Sequence, residues 1–527
     1  MLALGIDAAN PDLLQRWARD GTLPNLGSLI RRGLVGRTRS MEGFFVGSTW
    51  PSFYTGVTPA RHGFHYLVQL RPGSYQYHRP ADGAFVRGDP FWTVLSRAGR
   101  RIAVVDVPLS RLDADILGLH IVEWGGHDAV FGFQTRPPEL RDEIAGRLGG
   151  HPLGHTCDAV RRTPPEYVRL TDELVRGARA RAGLTRHLLG AGGWDLFLQV
   201  FTESHCAGHQ CWHLHDPAHP GHDAALAAAV GDPVRQVYAA IDQAIGEIIA
   251  DQDDGLVIVF TLHGMSHWFG AHFLLPEILF RLGAAQPAPE SGTPAPRGAP
   301  RLARAAAARA WRALPRGIRG ILSPLRAHGR REGEAAPLPT IGVDPARSRC
   351  FAVSNGLATG GIRLNLIGRE PQGVLAPGLE ADAFCTRLAA ELLEIVREDT
   401  GRPLIGRVVR TAELYAGDHL ANLPDLLVDW DDGTPTGSAE INGGAGSVVR
   451  ARSPKIGAVE GINRYTRTGE HRIEGLLVAA GPGIEPGRLN RAVSVLDFAP
   501  TFTRLLGVEL ADCDGRPITE LLTGNIP

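Results

Sequence analysis

Five short apolar runs are spaced along the chain, each followed by a longer amphipathic stretch, and this alternation restricts the fold more than any other feature. The runs are LALGI at 2–6, RIAVVDV at 101–107, WDLFLQVF at 194–201, GLVIVFTL at 255–262 and EGLLVAAG at 474–481. Continuous apolar runs of this length read as strands buried on both faces, and helices between them are the connections that parallel strands require. The expected class is α/β, a three-layer α/β/α sandwich around a mostly parallel central sheet. In such sheets ligands collect beyond the carboxyl ends of the strands. Several of these runs end in an acid, a histidine or a polar cluster.

A chain of 527 residues with 43% hydrophobic and 21% charged content can bury a large core and belongs with globular proteins. Its net charge of -1 and pI near 7.1 supply no global field for nucleic acid or an anionic membrane, so the expected partner is a small molecule. The six cysteines are scattered, with neither the spacing of a disulfide framework nor a paired CxxC module, which suits a reducing compartment. Met1 leads directly into the first apolar run without a basic leader, and no window has the ~20 apolar residues of a membrane span. A cytoplasmic location is expected.

Between 283 and 339 the composition turns to Ala, Pro, Gly and Arg, with ten arginines and no acid over 297–331. This stretch reads as an insertion dividing a core of two parts, 1–282 and 340–527. It is either a solvated excursion or a basic lid or docking surface.

Candidate chemistry gathers where the apolar runs end. Asp7 closes the first run and is a suitable hard ligand for a divalent cation, although Asp, Asn and Pro together also signal a helix start. The segment 47–64, GSTWPSFYTGVTPARHGF, offers hydroxyls at a helix N-terminus, either as nucleophile and anion donors or as a simple cap. In FTESHCAGHQCWHLHD at 201–216, His205, His209 and His213 share one helical face, and histidines at i and i+4 are able to chelate one ion. Glu203 beside them is a possible proton carrier or a solvated acid. His263 ends another run, followed by His267 and His272, while His471 precedes the last run. The segment 123–133, with Trp124, His127 and Asp128, either lines a pocket or forms a turn.

Taken in order, GIDAANPDLLQRWARDGTLPNL, TGVTPARHGF, NLPDLLVDW, GEHRIEGLLVAAGPGI and SVLDFAPTFTRLLGV resemble the type I phosphodiesterase and nucleotide pyrophosphatase branch of the alkaline phosphatase superfamily. The last segment carries the match around Asp497, Pro500 and Thr501. The resemblance covers everything except the basic insertion. It implies an alkaline-phosphatase-like sandwich and one or two zinc ions that clamp a phosphate ester while a Ser or Thr attacks. Carried over by position, it assigns Asp7 and His263 to one metal and His205, His209 and His471 to the other.

Three departures fall at the implied site. Leu262 stands where the family has the Asp of Asp-His-Gly, so a carboxylate ligand is missing. His205 replaces the Asp of Asp-x-x-x-His, which leaves a three-histidine set suited to zinc with an open position. Counting back from Thr55 by the family spacing lands on Val46, which has no nucleophilic atom, and Thr49 or Ser48 is the substitute that the sequence offers. The expected function is zinc-dependent phosphoric ester hydrolysis of the phosphodiesterase type. The alternatives are a mononuclear zinc enzyme acting on a non-phosphoryl substrate and a non-catalytic ligand-binding member.

Overall fold

The computed structural model describes residues 1–80, 86–125, 127, 129–154, 156–250, 255–289, 338 and 340–522. All five apolar runs enter one nine-stranded sheet, in the order Gly487–Ser494, Leu34–Arg39, Glu474–Ala480, Val257–Thr261, Leu2–Ile6, Leu196–Phe201, Ile102–Val105, Gly118–Val122, Gln134–Arg136. Pairing is parallel from Val257–Thr261 across to Gly118–Val122 and antiparallel on both sides of Glu474–Ala480. The central strands are buried on both faces because their side chains alternate between two cores. Leu2, Leu4 and Ile6 enter one core with the helices Pro164–Gly190 and Pro233–Ala250, while Ala3 enters the other with Thr49–Thr55, Phe91–Arg97 and Phe498–Leu505. This is the expected three-layer sandwich.

A third core lies under a four-stranded antiparallel sheet, Cys350–Val353, Thr359–Leu364, Leu426–Trp430 and Ile405–Arg410, covered by the helix Leu379–Leu393. A short antiparallel pair, Gly264–His267 with Gly469–Arg472, sits just beyond the carboxyl ends of the parallel strands. Most of the expected insertion, 290–337 and 339, lies outside the described residues. At its base Pro287 bridges Val343, and the Asp344 amide donates to the Gln286 carbonyl at 2.9 Å, so the chain departs and re-enters at adjacent points. Among the described residues no helix is long and apolar enough to cross a membrane.

Candidate metal centre

Four predicted residues meet in one cleft at the carboxyl ends of three neighbouring parallel strands. Asp7 follows Leu2–Ile6, His205 lies in the helix Glu203–His215 that follows Leu196–Phe201, and His263 follows Val257–Thr261. The strand Gly469–Arg472 brings His471 opposite Met265, and all four residues line the cleft. Asn10, not Asp7, caps the first helix: its side chain accepts from the amides of Asp12 and Leu13, and Pro11 starts the first turn.

His205, His209 and His471 each offer a ring nitrogen, and these nitrogens lie within 4.8 Å of one another. His209 Nδ1 faces the Gly469 carbonyl at 2.8 Å, an arrangement that fixes Nδ1 as the donor and leaves Nε2 as a lone pair. That Nε2 is 3.2 Å from His471 Nε2. Two ligands at ~2.05 Å from a tetrahedral zinc are about 3.3 Å apart, so the spacing fits a metal pair. The Nδ1 atoms of His205 and His471 are buried without a hydrogen-bond partner. Burial first, then neighbouring imidazoles and Arg467, hold all three histidines well below the ordinary imidazole pKa. They are neutral at neutral pH, and as a donor set they fit a zinc-like ion.

Backbone contact makes this convergence possible. A Cβ on Gly469 would lie 2.2 Å from the Gly208 carbonyl oxygen, and one on Gly208 would lie 2.6 Å from Met265 Cγ. Only glycine at both positions lets the histidine helix approach the short antiparallel pair closely enough to join His209 with His471.

The second implied centre is incomplete. Asp7 Oδ1 accepts the Trp50 indole N–H at 3.0 Å and lies 3.7 Å from His263 Nε2. Leu262, at the missing Asp position, is packed in the apolar core. Val46 and Gly47 line the cleft, but Ser48 and Thr49 do not. Ser48 Oγ donates to the Phe44 carbonyl at 3.2 Å; Thr49 Oγ1 donates to the Phe45 carbonyl at 2.7 Å and also pairs with Ser40 Oγ. The helix Thr49–Thr55 therefore turns these hydroxyls back onto the preceding turn. Neither candidate nucleophile is presented to the cleft: both hydroxyls are held by backbone carbonyls.

Other candidates separate clearly. His213 pairs with Thr468 Oγ1 at 3.2 Å, and His267 Nε2 faces the Asp432 carbonyl at 2.9 Å, so neither joins the cluster. His127 lines the cleft, whereas Trp124 donates to the Gly149 carbonyl and packs edge-on against His151; Asp128 lies outside the described residues. Glu203 is not a proton carrier in this arrangement. It is buried in an ion pair with Arg181 at 3.2 Å and faces His151 at 3.0 Å. Burial alone would raise its pKa, but Arg181 and His151 hold it at about 2.

Sequence reading missed Arg467, Asp158 and Glu470, all on the cleft wall. Arg467 is aimed by two bonds to the Asp158 carboxylate, at 2.7 and 3.0 Å, and its Nη1 is 3.4 Å from His209 Nε2. Glu470 is buried, its Oε2 has no hydrogen-bond partner, and burial pushes its pKa up to about 7. Its position directly before His471 was the only signal for it.

Comparison with solved structures finds phosphonoacetate hydrolase from Sinorhizobium meliloti at 12% identity, covering 94% of this chain and 93% of that one, with a TM-score of 0.43. Murine ectonucleotide pyrophosphatase / phosphodiesterase 5 is 11% identical over 98% and 97% of the two chains, TM-score 0.46. A mutant of the alkaline phosphatase PafA is 14% identical over 98% of each chain, TM-score 0.48. Comparison with curated proteins gives no match. Residues 1–306 match the profile of the type I phosphodiesterase / nucleotide pyrophosphatase family, more than half of the chain, and the protein belongs to that family.

Proposed function

We propose that the protein is a metal-dependent phosphoric ester hydrolase that works from one three-histidine zinc centre and uses water, not a side chain, as the attacking group. The observation that carries this reading is the convergence of His205, His209 and His471 beside a cleft whose wall, at the family's nucleophile position, is Val46. When bound, zinc supplies Lewis acidity that polarises a phosphoryl oxygen. The remaining steps belong to the chain's own groups. Arg467, held in direction by Asp158, offers its guanidinium to the anionic phosphoryl oxygens. Glu470 has an uncommitted carboxylate oxygen with which to take a proton from the attacking water. The cleft volume of about 190 Å³ admits a compact phosphoryl head group and leaves the rest of the substrate outside. We also propose a cytoplasmic setting, which the scattered cysteines favour.

The test is hydrolysis of bis(p-nitrophenyl) phosphate by zinc-loaded wild type and by His209→Ala. Turnover that falls more than about 100-fold in the variant supports the reading. A covalent phosphoryl group trapped on Ser48 or Thr49 would overturn water attack. Leu262 and Val46, standing where the family has an Asp ligand and its nucleophile, favour a second reading, in which the same centre serves a non-phosphoryl substrate. Absence of phosphodiester turnover in fully zinc-loaded protein would select it.

A further inference from the structure

The two cysteines closest to the histidine centre are not packed as isolated hydrophobes. Cys157 comes from the loop before the helix Pro164–Gly190, and Cys206 from the first turn of the helix Glu203–His215. Their sulfurs lie 3.3 and 3.4 Å from the same atom, His127 Nδ1. All three donor atoms fall within 4.8 Å of one another, and both cysteines are completely buried. The buried Cys211, Cys350 and Cys385 belong to no such group among the described residues.

From this geometry we propose that His127, Cys157 and Cys206 form a second metal site, thiolate-rich and suited to a soft divalent ion such as zinc. Two sulfurs and one imidazole nitrogen are a zinc donor set with one position remaining. The donors come from three separate segments, so a bound ion would staple two loops to the helix that carries His205 and His209. The His127 and His205 rings are 4.3 Å apart between centroids, so the two centres share a wall. His127 Nε2 has a 3.4 Å contact with Arg467, and loading requires Arg467 to yield there while keeping its bonds to Asp158. Binding transfers two thiol protons to solvent and leaves the oxidation state of both sulfurs unchanged. This proposal does not rest on the hydrolase reading.

The experiment uses the full chain loaded with zinc or with cobalt. Cobalt-loaded wild type should display a thiolate-to-metal charge-transfer band that persists in His209→Ala and disappears in Cys206→Ser and Cys157→Ser. In parallel, alkylation followed by mass mapping of zinc-loaded wild type and His209→Ala should find Cys157 and Cys206 protected until a chelator is added. Cys211, Cys350 and Cys385 should stay protected throughout by burial. Should the cysteine variants fail to fold, the presence or absence of the wild-type cobalt band decides the matter alone. Cobalt binding without a thiolate band, or an intact mass lighter by the two hydrogens of a Cys157–Cys206 disulfide, would each overturn the proposal.

Discussion

Arg181→Met should destabilise the protein by about 3–5 kcal/mol at neutral pH, the cost of breaking a buried ion pair by removing one partner. Arg181 is completely buried, and it is the cation for two carboxylates that are themselves completely buried, Asp106 and Glu203. Its remaining N–H groups serve the Gly125 carbonyl at 3.0 Å and Thr202 Oγ1 at 3.3 Å. Methionine roughly fills the volume and supplies none of this. At ~2.1 cal/mol/K per residue, unfolding of 527 residues as one unit has an entropy of about 1.1 kcal/mol/K, so the expected Tm drop is about 3–5 °C. The pH dependence gives the sharper check. In the wild type the folded pKa of Glu203 is depressed to about 2, so its contribution is present above its unfolded value and is lost as pH falls toward 2. Without Arg181 the burial that raises this pKa is less opposed, protonation becomes the cheaper state, and the deficit should shrink as pH falls from 7 toward 4.5. Calorimetry of variant and wild type in matched buffers measures the difference directly. A variant within about 1 °C of wild type at pH 7, or a deficit that widens on acidification, would refute the assignment.

Gly469→Ala should retain the sheet by circular dichroism but lose zinc from the three-histidine centre, because its methyl would need the space of the Gly208 carbonyl; elemental analysis reads the loss. Arg467→Met should raise KM for a phosphodiester more than it lowers kcat if Arg467 chiefly binds the ground-state anion, and steady-state kinetics separates the two. Chelated protein should become less stable as pH falls. His205, His209, His263 and His471 stay neutral in the fold, the third with a pKa lowered to about 3, while their unfolded counterparts protonate below ~6.5. The unfolding free energy from denaturant titration in chelator should therefore fall by ~1.4 kcal/mol per pH unit below ~6.5 for each histidine still neutral, and zinc should suppress the slope near pH 6.

The sheet was legible because a strand buried on both faces needs a nearly continuous apolar run, and LALGI, WDLFLQVF and GLVIVFTL meet that demand with few polar interruptions, such as Gln199. The pairing of His205 with His209 was legible for a similarly local reason, since one helix fixes their relation. His471, 262 residues from His209, has no local relation to it; its place before an apolar run made it a candidate, and only the family resemblance assigned it to the same metal. Glu203 was misread because its environment is written elsewhere, in an arginine on the otherwise apolar face of the helix Pro164–Gly190. A charged residue buried among Ala178, Ala182 and Thr185 needs a counter-charge nearby, and that demand was visible before the partner was.

The departures from the family also fall into a pattern that each alone does not reveal. Val46, Leu262 and the Trp50 indole bonded to Asp7 all act on the Asp7–His263 side of the cleft, where they remove a nucleophile, remove a ligand and engage the carboxylate that is left. On the other side the replacement of an acid by His205 keeps three donors together, with glycines at 208 and 469 keeping them close. His205 Nδ1 and His471 Nδ1 are buried without hydrogen-bond partners, a cost that an ion bound at the proposed three-histidine centre would offset. The departures thus fall on the Asp7–His263 side, while the three-histidine donor set stays together beside Arg467 and Glu470.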